Sequence, residues 1–97
     1  LAGQIDRFLI SLGEAQTQLA RANETRDFSA LATTAHRLLG QARMVGGGTL
    51  GDSALALEQA ADRCDADACD DLLRQVTGEI RTITAALHHR RSGALTS

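Results

Sequence analysis

Ninety-seven residues suffice for one compact domain with a single core and are too few for two. Hydrophobic residues make up 43% of the chain but only Phe8 and Phe28 are aromatic, so Leu, Ile, Val and Ala must build the core, and without Pro nothing forces a helix to break. The net charge of −2, with ten basic residues that are all Arg and form no stripe, argues against nucleic-acid binding, and no apolar run reaches the roughly 18 residues of a membrane span.

The first segment places Ile5, Phe8, Leu12, Ala15, Leu19 and Ala22 at steps of three and four, the period of one apolar helix face. A polar stretch from Asn23 to Asp27 follows, and Asp27 suits an N-cap before Phe28. The second stripe is Phe28, Leu31, Ala35, Leu38, Ala42 and Val45, ended by Gly46, Gly47 and Gly48, which take the left-handed helix-terminating conformation without steric cost. Thr49 and Asp52 then have the spacing of a capping box. Leu50, Ala54, Leu57, Ala61 and Cys64 form the third stripe. Asp65 to Asp71 caps the last helix, with Asp70 and Asp71 expected in its first turn, and its stripe is Cys69, Leu73, Val76, Ile80, Ile83 and Leu87. His88, His89, Arg90 and Arg91 are expected at its C-terminal end, where cations favour the helix dipole.

Four such helices, of about 18, 19, 14 and 23 residues with short turns, must run antiparallel. The expected fold is all-α, an up-down-up-down four-helix bundle over residues 1–91, with a disordered tail over 92–97. Gly13 and Gly78 fall inside helices, where close helix packing is one reason for a glycine, and Met44 reads as a packing residue. Cys64 and Cys69 read as two reduced thiols, both buried as small hydrophobes. No cysteine–histidine set has zinc spacing, adjacent His88 and His89 diverge on a helix, and the acidic run Asp62, Asp65, Asp67, Asp70 and Asp71 lacks calcium-loop order, so no metal site is expected. Leu1 in place of an initiating Met reads as a piece of a longer protein.

The chemically informative segment runs from Ala35 to Gly46. His36 lies about 120° from the centre of its apolar stripe, hence on the flank of the helix and open to water. Gly40 falls about 40° from His36 in projection and Arg43 about 20° away, two turns or about 10.5 Å along the axis. Ala32 and Thr33 border the histidine one turn earlier, and both are small. A nucleophilic imidazole needs solvent access and a free ring nitrogen. A glycine one turn away clears space for a docking partner, and Arg43 leans back toward the ring because helical side chains point N-terminally. By geometry alone the segment more often describes a solvated histidine on a bundle surface.

The pattern His36-x-Leu38-x-Gly40-x-Ala42-x-x-Val45-Gly46, followed by Leu50 and Leu57-Glu58, resembles the signature of histidine phosphotransfer (HPt) domains, over nearly the whole chain. The resemblance implies a phosphorelay carrier, without kinase activity of its own, that takes a phosphoryl group from a receiver-domain aspartyl phosphate and passes it to the Asp of a response regulator. It makes His36 the phosphoacceptor through its outer nitrogen, Glu58 the hydrogen-bond partner of the other nitrogen (with adjacent Gln59 as the alternative), and Gly40 the clearance residue. The family usually carries Lys three residues after the His and Ser or Ala two residues later, where this chain has Leu39 and Gln41. Arg43, and less directly Arg37, stand in for the missing cation. That departure keeps open a degenerate module that binds receivers or dimerises without carrying phosphate. No cofactor is expected, the Mg²⁺ being the receiver's. The expected setting is a cytoplasmic, monomeric domain without membrane contact, as the C-terminal module of a bacterial hybrid sensor histidine kinase.

Overall fold

The computed structural model describes residues 2–46 and 48–96, with side chains described at 3–46 and 48–89. Four helices follow in order: α1 (Ala2–Glu24), α2 (Phe28–Met44), α3 (Gly48–Asp62) and α4 (Ala66–Thr96). Each packs on its neighbours in the cycle α1–α2–α3–α4–α1, and the diagonal pairs do not pack backbone to backbone among the described residues. That is the expected up-down-up-down bundle. At 1.5 Å per residue α4 alone is about 46 Å long, which accounts for the 48 Å long axis against a 22 × 18 Å cross-section.

The stripes converge as their period requires. Leu12, Leu19, Leu31, Leu38, Leu50, Leu57, Val76 and Cys69 are the largest fully buried side chains, with small Ala35, Ala42, Ala54 and Ala60 between them. Phe8 and Phe28 pack on this core from its margin. Burying each leucine contributes about 1.5–3 kcal/mol, so the aliphatic interior needs no aromatic centre.

Two turns share one solution. The Arg26 amide donates to Asn23 O and the Asp27 amide to Ala22 O; the Cys64 amide donates to Ala61 O and the Asp65 amide to Ala60 O. Both are Schellman closures with a left-handed residue at the helix exit, filled here by Arg26 and Cys64, each at φ 55°. The aspartate that follows caps the next helix: the Ala30 amide donates to Asp27 and the Ala68 amide to Asp65, each at 3.1 Å. The third turn has Gly46 at φ 71°.

Several expectations need correction. Cys64 is exposed, because the left-handed turn swings it off the third stripe after Asp62, while Cys69 is buried and both are free thiols. Val45 is 53% exposed because α2 stops at Met44 and Val45 is its C-cap. Met44 is 86% exposed on the outward face and packs nothing. α3 begins at Gly48, which puts Thr49 inside the first turn rather than at a cap. α4 begins at Ala66, so Asp67 is in its first turn and Asp70 and Asp71 lie beyond it. Its helical backbone continues through Ser92–Thr96 where a disordered tail is expected. Only Gly93 weakens that stretch, and Ala94 and Leu95 are good helix formers. His88 and His89 therefore sit inside the helix rather than at its end. Gly47, Ser97 and the Arg90 and Arg91 side chains lie outside the described residues. Gly13 and Gly78 face open space, with nothing within 4 Å of a β-carbon built on either, so close helix packing does not explain them.

Candidate functional site

His36 stands on the flank of α2 with 72% of its side chain exposed. The residues around it decide this. Leu31, Thr34, Ala35, Leu38, Leu39 and Ala42 are the buried face of α2, and position 36 falls outside that arc. The ring turns toward α3, where its Nδ1 lies 3.1 Å from Glu58 Oε2 and 3.3 Å from Oε1. Glu58 is on the α2-facing edge of α3, with 22% of its side chain exposed. A carboxylate in that position accepts from Nδ1–H, which fixes the tautomer carrying its proton on Nδ1 and leaves the Nε2 lone pair toward solvent.

Of the alternative partners, Glu58 meets the ring and Gln59 does not; Gln59 is exposed on the outer side of α3. Gly40 is exposed one turn below His36, and a β-carbon there would meet nothing within 4 Å. The glycine is therefore not required by packing within the chain, although it costs about 1 kcal/mol against Ala in a helix. Bare backbone beside an exposed imidazole leaves room for another molecule to approach.

The cations divide. Arg37 is turned to the other side of α2, where its Nη1 donates to Gln18 Oε1 of α1 at 3.3 Å. Arg43 is exposed on the His36 side and lines a groove of about 310 Å³ between α2 and α3, together with Leu39, Gly51, Asp52 and Leu55. Among the described residues it forms no salt bridge. Leu55, 37% exposed on the rim of that groove, is a site neighbour that sequence reasoning misses. Its signal was present, since Leu55 lies off the third stripe.

Both departures from the expected motif have structural reasons. Leu39 is buried in the α2–α3 seam against Gly51, where a β-carbon would lie 3.7 Å from Leu39 Cδ1. The place of a lysine is thus taken by an aliphatic side chain that a bare turn of α3 accommodates. Gln41 faces α1 and its Nε2 donates to Ser11 Oγ, away from the imidazole.

At the end of the bundle where α1 and α3 finish, Asp70 accepts from Arg26 Nη1 at 2.9 Å and Nη2 at 3.1 Å and from Asn23 Nδ2 at 2.8 Å. The Arg26 and Asn23 hydrogen bonds hold its carboxyl down at about 2. Burial pushes the Cys69 thiol up. Neither group belongs to the His36 surface. Among the described residues no cluster of three or more His, Cys, Asp or Glu side chains could hold a metal, and no helix is long and apolar enough to cross a membrane.

The model of one protein family, described as the Hpt domain, matches residues 5–89. No curated protein and no solved structure matches the chain.

Proposed function

The chain belongs to the Hpt domain family, and from that premise we propose that His36 is its phosphoacceptor, carrying a phosphoryl group from one receiver domain to another. Domains of this family serve phosphorelays by histidine phosphotransfer and interact with receiver domains. The observation that carries the assignment is the pairing of an exposed ring with a partly shielded carboxylate on one nitrogen only.

The chemistry follows from that pairing. The Nε2 lone pair of His36 attacks the phosphorus of an aspartyl phosphate on the receiver. The N–P bond forms as the acyl phosphate P–O bond breaks, and the receiver's carboxylate leaves with the electron pair. The imidazole gains positive charge, and its Nδ1–H donates a hydrogen bond to the Glu58 carboxylate, which lowers the energy of the phosphorylated ring. Onward transfer reverses these bonds with a second receiver carboxylate as nucleophile. Arg43 is the cation placed to meet a phosphoryl oxygen, and Gly40 gives the receiver's face room. Mg²⁺ belongs to the receiver. The donor is a hybrid sensor kinase's receiver and the acceptor a bacterial response regulator, with the module acting in the cytoplasm as a monomer.

A second reading rests on Leu39: without the family's lysine the module docks receivers and carries no phosphate. Incubation with a phosphorylated receiver separates the two. Wild type is expected to acquire acid-labile, base-stable label, and His36→Gln to acquire none while keeping its helical spectrum. Equal labelling of both proteins removes His36 from the mechanism, and receiver binding without any label establishes the docking module.

A further inference from the structure

Gly13 and Gly78 gain an account from a pseudo-twofold relation between the two helical hairpins. One constant offset along the sequence carries Leu12 to Leu50, Leu19 to Leu57, Ala22 to Ala60 and Asp27 to Asp65. The structure keeps the same register. The offset carries left-handed Arg26 to Cys64, both at φ 55°, and the Asp27 cap on Ala30 to the Asp65 cap on Ala68, both at 3.1 Å. It therefore maps α1 onto α3 and α2 onto α4, and in the closed cycle of helices the α2–α3 seam onto the α4–α1 seam. On that second seam Gly78 takes the place of Gly40, Arg81 that of Arg43 and Gly13 that of Gly51. Arg74 stands where His36 does, and Ala20 where Glu58 does. We infer that the α4–α1 face is a second, non-reactive copy of the His36 face, a phosphate site in which Arg74 and Arg81 bind phosphoryl oxygens without covalent transfer.

The chemistry of this face suits an oxyanion, whatever His36 does on the other. An open groove of about 510 Å³ includes Arg74, Gly78 and Arg81 of α4 and Asn23 of α1. A β-carbon on Gly78 would meet nothing within 4 Å, so bare backbone lies open between two guanidinium groups, as it does beside the imidazole. Helical side chains point N-terminally, which brings Arg81 back over that turn, and Arg74 lies one turn before it. Guanidinium N–H groups pair with phosphate oxygens two at a time. Arg81 forms no salt bridge among the described residues. Arg74 is paired with Asp71, but the two side chains are 73% and 71% exposed, and an ion pair that open to water is weak enough to be shared with a ligand. The carboxylate within the groove, Asp70, is occupied by Arg26 and Asn23. The position that attacks phosphorus on one face can only donate hydrogen bonds on the other, and with Ala20 in place of Glu58 the counterpart carboxylate is gone.

Titration of the ¹⁵N-labelled chain with inorganic phosphate and with O-phosphoserine, at constant ionic strength against sodium chloride, tests the site. Saturable shifts are expected at the Gly78 and Arg81 amides with both phosphates and not with chloride. The tighter of the two tells whether the face takes the free anion or a phosphate carried on a side chain. Arg74→Ala and Arg81→Ala are each expected to weaken binding at Gly78 by about fivefold, and His36→Gln to leave it unchanged. Labelling of His36 by phosphoramidate, a small phosphodonor, is expected at the wild-type rate in both arginine variants, because the two faces lie on different seams. Shifts that chloride reproduces, or that both arginine variants keep at full affinity, overturn the second site. Shifts confined to Gly40 and Arg43 overturn it too and leave the reading of His36 intact. Arginine variants that lose phosphate binding and phosphoramidate labelling together also overturn it, since the two faces would then not be separate.

Discussion

His36 and Glu58 meet across the α2–α3 seam, with Nδ1 3.1 Å from one carboxylate oxygen and 3.3 Å from the other. One ring nitrogen is thereby held and the other left open, a division of labour that neither residue shows alone. Glu58→Ala is expected to slow phosphoryl transfer by about tenfold to a hundredfold, as loss of an orienting carboxylate does for metal-bound histidines. Glu58→Gln keeps an acceptor for Nδ1–H without the negative charge and is expected to fall between Ala and wild type. Rates of transfer for the three proteins give the order, and equal rates remove Glu58 from the chemistry.

Gly40 separates folding from docking. Because a β-carbon there meets nothing within 4 Å, Gly40→Ala is expected to raise stability by about 1 kcal/mol. Gly40→Leu is expected to fold as well, yet to lose most transfer from a phosphorylated receiver while phosphoramidate still labels it. Denaturant unfolding and the two labelling rates measure these outcomes. A Gly40→Leu protein that exchanges phosphate with receivers at the wild-type rate assigns the clearance elsewhere.

The two arginines of α2 are expected to behave differently. Arg43 is exposed on the His36 side without a salt bridge among the described residues, whereas Arg37 is hydrogen-bonded to Gln18 of α1 on the other side of α2. With a small phosphodonor, Arg43→Ala is expected to lower the rate several-fold and Arg37→Ala to leave it unchanged. Equal rates for the two would take Arg43 away from the phosphoryl group.

Much of this was legible in the amino-acid order. The three-and-four spacing of Leu12 and Leu19, of Leu31 and Leu38, and of Leu50 and Leu57 puts those residues inside, and all are buried. His36 is off its stripe, and it is exposed. Where the reading failed, a helix end or a second helix decided the matter. Val45 and Cys64 continue their stripes by arithmetic, but the helices stop at Met44 and Asp62 and both side chains leave the core. Which way Arg37 turns depends on Gln18, 19 positions earlier, and the burial of Leu39 on the bare turn at Gly51. Periodicity within one helix carries no information about such neighbours.

Asp70 should make the bundle sensitive to acid. Its carboxyl is held near 2 against an ordinary 3.8 by Arg26 and Asn23. A group whose folded value is depressed adds stability above its unfolded value and loses it as pH falls through the folded one. The stability difference between wild type and Asp70→Asn is therefore expected to be full above about pH 4 and to disappear toward pH 2. Melting temperatures of both proteins across that range test this; a constant difference would mean that the Arg26 contact does not persist in solution.

Cys64 and Cys69 should be told apart by reagent and by substitution. A thiol reagent is expected to modify exposed Cys64 in the native state and to spare buried Cys69 until unfolding. Cys64→Gly is expected to stabilise by about 0.5–1 kcal/mol, since the left-handed conformation costs an ordinary residue about 1–2 kcal/mol and glycine loses part of that gain in chain entropy. Mass spectrometry of the labelled native protein counts the reactive thiols, and two modified thiols would contradict the packing of Cys69.

The chain has three histidines, and His88 and His89 on α4 serve as internal controls for the third. Imidazole ¹⁵N spectra of the protein before and after labelling by a phosphorylated receiver report which ring, and which nitrogen, carries the phosphoryl group. The expected spectrum shows His36 with its proton on Nδ1 beforehand and its phosphorus on Nε2 afterwards, and the other two rings unchanged. Phosphorus on His88 or His89, or on Nδ1 of His36, contradicts the account.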